Sequence, residues 1–338
     1  MNEPSDPTGV ASGPSHVDPQ AGVPSAWRSP GGVIRLLVLP PEEGLRLDLF
    51  LAVAAGVSRR AARRLIAAGH VLRNGAPVRV QSRTVALADV VEIPDATGSP
   101  SVPARPTIDA LDILYEDDLV IAVDKPAGIL SQAAASQDPA ELALDQMLLL
   151  GLASREGRRP YLRLVHRLDR LTSGIVLGAR ANEALRPLAH AWAEGVVDRR
   201  YLAVVEGAPS FTNLEIDTPI ARDLDHAWRF QVNADGRPAR TLVRLLGPGP
   251  HGTSVLQCRL LTGRTHQVRV HLAAVGHPVV GDRLYGSHLA DLAPRPLLHA
   301  AALTLPHPRR RETLHITSPL PDDLAAFLGP LGESFRDV

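Results

Sequence analysis

Tyr161 to Arg180, YLRLVHRLDRLTSGIVLGAR, joins two segments that obey different rules. Leu162, Leu164 and Leu168 alternate as an extended chain does, whereas Gly174 to Leu177 is a short apolar run of the kind that forms a buried strand. Between them, HRLDRLTSG gathers His166, Arg167, Asp169 and Arg170 ahead of the turn formers Thr172, Ser173 and Gly174. An ionisable cluster between two segments that favour burial is a candidate site. The flanking arginines favour the charged form of Asp169, which can then act as a nucleophile or a base. The plainer role for such an Asp is to accept backbone N–H bonds in the turn, with Arg167 or Arg170 as a surface ion pair. A kinase-type reading fails because Leu168 separates Arg167 from Asp169 and no DFG follows. Neither a zinc-binding His pair nor a Gly-x-Ser-x-Gly elbow occurs here.

Whole-chain properties bound the answer. The 338 residues suffice for two domains, and 36 basic side chains balance 36 acidic ones, so any argument for nucleic acid must rest on local charge. A single cysteine, Cys258, excludes an internal disulfide and is expected as a buried, inert thiol. The N-terminus lacks a basic region followed by an apolar stretch, and no apolar run approaches bilayer length. A cytoplasmic protein with no membrane partner is expected. Residues 1–31 are rich in Pro, Gly, Ser and Asp, which predicts a disordered tail.

Residues 32–94 read as a separate unit. Leu47, Phe50, Leu51 and Ala54 recur at helical spacing up to Gly56. Ser58 is placed to cap a second helix, in which Arg59, Arg60, Arg63 and Arg64 form one arc and Ala62, Leu65 and Ile66 the other. Strand-like pieces and an Asn74-Gly75 turn follow. From Leu45 to Pro94 there are eight arginines against three carboxylates, a local net charge of +5. Such a patch is either a solvated face or a phosphate-binding one. Residues 95–110, centred on DATGSPSVPARPT, read as a linker whose composition allows the flanking domains to move independently.

From Leu111 a larger domain, 111–338, begins with a buried strand over Leu119 to Val123 and a turn at Lys125-Pro126. A helical pattern spans Pro139 to Gly151 and another Asn182 to Glu194; a strand returns over Arg200 to Glu206. Aromatic residues are only 4% of the chain, so Tyr201 is not part of an aromatic-rich core. The GPGPHG at Gly247 to Gly252 fits Gly-x-Gly-x-x-Gly, but two prolines between strand-like runs make it a hairpin loop. Arg264, His266, Arg269 and His271 cluster at the start of a helix. His266 and His271 are five apart, off a common helix face, so no metal pair is expected.

These segments together carry a specific resemblance. HRLD, two variable residues and TSG, followed in order by RRYLAVVEG (199–207), GRPART (236–241), TGRTHQVRVHLAAVGHPVVGDRLYG (262–286) and LLHA (297–300), resemble the RluA-type pseudouridine synthases of the ribosomal large subunit. The likeness runs from about Leu111 to Gly329. RLDLFLA, SRRAARRLIAAGHV, NGAPV and ADVVEI resemble the small alpha-L RNA-binding module named after ribosomal protein S-four, with Ala88 where that module usually has Gly.

The resemblance implies an α+β fold: a mixed, mostly antiparallel sheet preceded by the small domain. It implies isomerisation of uridine to pseudouridine in structured RNA, ribosomal first and transfer RNA second, by a monomer without metal, redox carrier or other cofactor. Asp169 would be the catalytic carboxylate, Tyr201 would stack on the base, and Arg269 would hold Asp169 ionised and aimed. Arg167 would fill the gap left by a flipped base, and Lys125, Arg264 and His266 would touch RNA, as would Arg59, Arg60, Arg63 and Arg64. Where the family usually has a lysine two residues before the Tyr, this chain has Arg199. The competing expectation is an RNA-binding ribosome assembly factor with the fold but not the chemistry.

Overall fold

The computed structural model describes residues 26–29, 32–94, 111–133, 142–226 and 228–335. Its small domain is a five-stranded antiparallel sheet against two helices. The strands are β1 (Ala26–Ser29), β2 (Val33–Leu37), β3 (Leu72–Arg73), β4 (Ala76–Pro77) and β5 (Val90–Pro94), in the order β1-β2-β5-β3-β4. The helices are α1 (Leu47–Ala54) and α2 (Arg59–Ala67). Ser58 caps α2 by accepting the Ala61 N–H at 3.2 Å. Leu47, Phe50, Leu51, Ala62 and Ile66 meet Ile34, Leu36, Val91 and Ile93 in one core. Asn74 (φ 52°) and Gly75 (φ 79°) form the left-handed two-residue turn of the β3–β4 hairpin.

Two expectations change here. Ala26–Ser29 lies inside the expected disordered tail yet pairs with β2 over four residues. Edge pairing uses main-chain groups, which a compositional reading of side chains does not register. Residues 95–110, the expected linker, lie outside the described residues, but independent movement of the domains does not fit what flanks them. Leu37, Leu87, Ala88 and Val90 pack against Leu142, Leu150 and Ala153 of the second domain. Arg159 also donates its N–H to Asn74 Oδ1 at 3.0 Å. Ala88, in that seam, is fully buried at φ 61°, which explains the usual Gly there.

The large domain is built on a ten-stranded sheet. Its strands are β6 (Ile113–Glu116), β7 (Val120–Lys125), β8 (Arg163–Leu164), β9 (Ser173–Ala179), β10 (Asp198–Glu206), β11 (Asn213–Asp217), β14 (Arg240–Pro248), β15 (Thr253–Leu260), β16 (Leu298–Pro306) and β17 (Thr313–Thr317). The order is β11-β14-β15-β10-β16-β9-β7-β6, with β17 beside β16 and β8 beside β9. A separate hairpin joins β12 (Ile220–Arg222) to β13 (Phe230–Val232). Among the described residues only β9 and β16 pair in parallel. The sheet is therefore mixed and mostly antiparallel, and GPGPHG is the β14–β15 hairpin connection.

Alternation along the central strands divides the helices between faces. Ile121, Val123, Val176, Tyr201 and Ala203 face α3 (Leu144–Glu156) and α5 (Gln267–Ala274). Val120, Ala122, Ile175 and Leu177 face α4 (Asn182–Ala193), while Leu202 and Val204 face α6 (Asp322–Leu328). Gly174 is required where β9 meets β16: its φ is 113°, and a Cβ there would lie 2.3 Å from the Ala300 carbonyl oxygen. No helix among the described residues is long and apolar enough to cross a membrane.

Candidate active site

HRLDRLTSG turns from β8 into β9, and the backbone on both sides of Asp169 is held. Ser131 Oγ donates to Leu168 O and accepts from Leu168 N–H, both at 2.9 Å. On the other side, Lys125 Nζ donates to Arg170 O at 3.3 Å, as does Gly128 N–H at 2.8 Å. Ser173, in the TSG, bonds His299 Nδ1 at 3.0 Å and accepts from Arg295 Nη2 at 3.2 Å, so the TSG and LLHA segments meet directly.

The fold does not leave Lys125 open to RNA as the resemblance implied. The side chain is fully buried, and its Nζ donates to the carbonyls of Pro126, Ile129 and Arg170. Burial pulls its pKa down to about 7. The sequence places a lysine at a turn; the fold closes that turn over the loop of Asp169. His166 is also structural. Its Nε2 accepts the Leu177 N–H at 3.0 Å and its ring stacks on Trp192 at 5.3 Å. Burial holds its pKa near 3, so it is a neutral acceptor rather than a base for Asp169.

Asp169 faces a cavity of about 490 Å³ that also exposes Arg167, Arg199, Tyr201, Arg264, His266 and Arg269. Its Oδ2 lies 3.6 Å from Arg269 Nη1 and 3.9 Å from His266 Nε2. The closer partner of Arg269, however, is Asp282, a buried carboxylate gripped by Nε at 2.7 Å and Nη2 at 2.9 Å. Burial opposes the charge on Arg269, yet the Asp282 hydrogen bonds overcome it and raise its pKa. Its guanidinium also lies 4.9 Å from the centre of the Tyr285 ring.

Tyr285 Oη accepts from Phe230 N–H at 3.0 Å and bonds His266 Nδ1 at 2.8 Å, where its own hydrogen is free to donate. That leaves the His266 proton on Nε2, toward Asp169. Desolvation lowers the His266 pKa despite Asp169 nearby, which favours this neutral form. His266 starts α5 at φ 57°, a left-handed conformation rare for a non-glycine residue. Gln267 braces the same loop by accepting from Thr262 Oγ1 at 2.8 Å and Arg264 N–H at 3.0 Å.

Tyr201 enters from β10, beside a register shift against β16 between Arg200 and Tyr201. Such a bulge re-aims a strand side chain. Burial pushes its phenol up to about 12, so it stays protonated near neutrality. Arg167 is exposed at the cavity, and Arg264 donates Nε to Pro238 O at 2.9 Å.

On the small domain Arg59, Arg60, Arg63 and Arg64 are all exposed, as the helical arc predicts. Two of them have an internal partner. Fully buried Asp48 accepts from Arg63 Nε at 2.9 Å, Arg46 Nε at 3.1 Å and Arg59 Nη2 at 3.3 Å. Those bonds overcome its desolvation and hold its pKa near 2. Asp48, Ser131, Asp282 and Tyr285 went unassigned in the sequence. The GDRLYG segment was a visible signal for the last two, but their partners lie 13 to 55 positions away.

A cation-lined cavity around one accessible carboxylate, in a chain whose small domain displays four arginines, fits an enzyme that works on a polyanion. Residues 119–274 match the RNA pseudouridylate synthase family and residues 45–91 the S4 domain. The chain is 37% identical over 293 residues to an RNA pseudouridine synthase of Mycobacterium bovis, covering 83% of this chain and 92% of that one. It is 34% identical over 323 residues to ribosomal large subunit pseudouridine synthase D of Xanthomonas campestris, covering 89% and 93%. The solved human RNA pseudouridylate synthase domain containing 1 superposes with a TM-score of 0.54 at 26% identity, covering 70% of this chain and 97% of that one. The chain belongs to the RNA pseudouridine synthase family and carries an N-terminal S4 domain.

Proposed function

We propose that this protein isomerises uridine to pseudouridine in structured RNA, with Asp169 as the catalytic carboxylate. The observation that carries the assignment is Asp169 itself: a carboxylate open to the cavity, pinned by its backbone and faced by Arg269 and His266. The reaction breaks the C1′–N1 bond of the target, turns the base and rejoins it through C5. Asp169 serves at the ribose, either attacking C1′ or removing the C2′ proton. Tyr201, protonated and beside Asp169, stacks on the base. Arg269, fixed by Asp282, aims Asp169.

Ribosomal RNA is the proposed substrate, supported by relatives named for the large subunit, with transfer RNA the second class. Residues 32–94 grip the RNA and 111–338 perform the reaction. The protein is proposed to act as a monomer in the cytoplasm, where ribosomes are assembled.

Tritium release from RNA labelled at uridine C5 tests the assignment. Wild-type protein should release tritium, and Asp169→Asn should release none while RNA affinity stays within about twofold, less than half a kcal/mol. Turnover by Asp169→Asn near the wild-type rate would exclude the residue. An inert wild-type protein that still binds ribosomal RNA would make it an assembly factor.

A further inference from the structure

The cavity holds two inward-facing arginines in opposite situations. Arg269 has two carboxylates. Arg199, on β10 two residues before Tyr201, has none among the described residues. Its Nη2 donates to Leu260 O at 3.0 Å and Thr262 O at 3.1 Å, while its Nε is buried without a partner. A largely desolvated guanidinium without a counter-charge is unfavourable, and burial draws its pKa below the ordinary range. It is fixed in place and lacks an anion.

The reaction proposed above supplies one. When C1′–N1 breaks, the bonding pair leaves on N1, and the detached uracil carries a negative charge spread over N1, O2 and O4. Asp169 balances the ribose, by bonding C1′ or by taking the C2′ proton. The base then turns and C5 bonds to C1′ as the Asp169–C1′ bond breaks or as Asp169 returns the proton to C2′; the C5 proton then leaves and N1 takes up a proton. Between the two bonds nothing covalent holds the base.

We propose that Arg199 is the cation that holds the detached uracil anion during this turn. Two backbone carbonyls engage Nη2 and Nε is buried, which leaves the Nη1 donors and the fixed positive charge for the base. Arg199, Tyr201 and Asp169 line the same cavity, so the cation, the protonated phenol and the carboxylate all face one bound nucleotide. Fixed positive charge aimed where negative charge develops is an effective means of lowering a barrier.

The inference rests on the pseudouridine synthase reading, and its test separates the two. The probe is free 5-nitrouracil, whose nitro group brings ionisation of the ring N–H into the mildly acidic range and whose absorbance reports its charge. Bound to wild-type protein, it should ionise about one pH unit lower than in water, a tenfold preference for the anion. Arg199→Met should abolish that shift and Arg199→Lys should keep most of it. A role confined to bracing the Thr262 loop would change affinity for both charge states alike. No binding or no shift in the wild type, or an equal shift in Arg199→Met, overturns the inference. So does an effect of Arg199→Met confined to RNA affinity and matched by inorganic phosphate competition, which would give Arg199 to the RNA backbone. Tritium release by wild-type protein decides the underlying reading independently of all these outcomes.

Discussion

The two domains use the same ion pair turned inside out. In the small domain a fully buried carboxylate, Asp48, collects guanidiniums whose remaining donors stay in water. In the large domain a buried guanidinium, Arg269, collects one buried carboxylate and one that opens into the cavity. The buried member sets the geometry and the accessible member meets the substrate. Exposed arginines suit phosphates, which are many and interchangeable. A single accessible carboxylate suits a reaction at one carbon.

The strongest way to break this contrast is to remove the buried member in the large domain. Arg269→Met leaves Asp282 buried and unpaired, which should cost about 3–5 kcal/mol of stability. Single-turnover rates at saturating enzyme should fall by about 100-fold or more. Arg269→Lys should recover only part of the rate, because an ammonium lacks the fork that grips Asp282. If Arg269→Met binds RNA poorly but reacts normally once bound, Arg269 is a phosphate contact and the symmetry between domains fails.

Removing the buried member of the small domain should affect binding and stability but not chemistry. Asp48→Asn weakens three charge-assisted hydrogen bonds and should cost about 1.5–3 kcal/mol. The folded-state pKa of Asp48 is depressed to about 2, so its contribution is present above pH 4 and lost as pH falls toward 2. Melting temperatures of wild type and Asp48→Asn should therefore differ near neutrality and converge in acid. A constant difference across that range would mean Asp48 does not hold the arginines through its charge.

The accessible members of the small domain can be separated from the buried one. Arg60→Gln with Arg64→Gln leaves the Asp48 cluster intact and should flatten the salt dependence of RNA binding by about 0.7 to 0.9 log units per lost phosphate contact. An unchanged slope would make that pair of arginines a solvated surface. The smallest effect is expected at the seam. Ala88→Gly relieves the left-handed conformation at the cost of a buried methyl and a more flexible unfolded chain, leaving a net gain of under about 1 kcal/mol. Thermal melting should show a rise of a few degrees at most; a fall would mean the methyl contact in the seam outweighs the strain.

Most of the elements that sequence periodicity marks are observed: the Ser58-capped α2, the Asn74-Gly75 hairpin, α4 and β10 lie where local pattern places them, while α3 runs on five residues past its expected end at Gly151. Local signals encode turn chemistry and which face is apolar, and these survive folding because they are properties of neighbouring residues. The motif order likewise sufficed to collect Asp169, Tyr201, Arg264, His266 and Arg269 around one cavity. Tertiary structure decided the partners. Lys125 became a buried clamp because the loop of Asp169 closes over its turn, 45 positions away. Arg269 was expected on Asp169 but is held more closely by Asp282, and Arg199 has no carboxylate among the described residues. Which charge lies beside which depends on strand register and on side chains arriving from distant segments, and in a poorly solvated interior that neighbour sets protonation, aim and role.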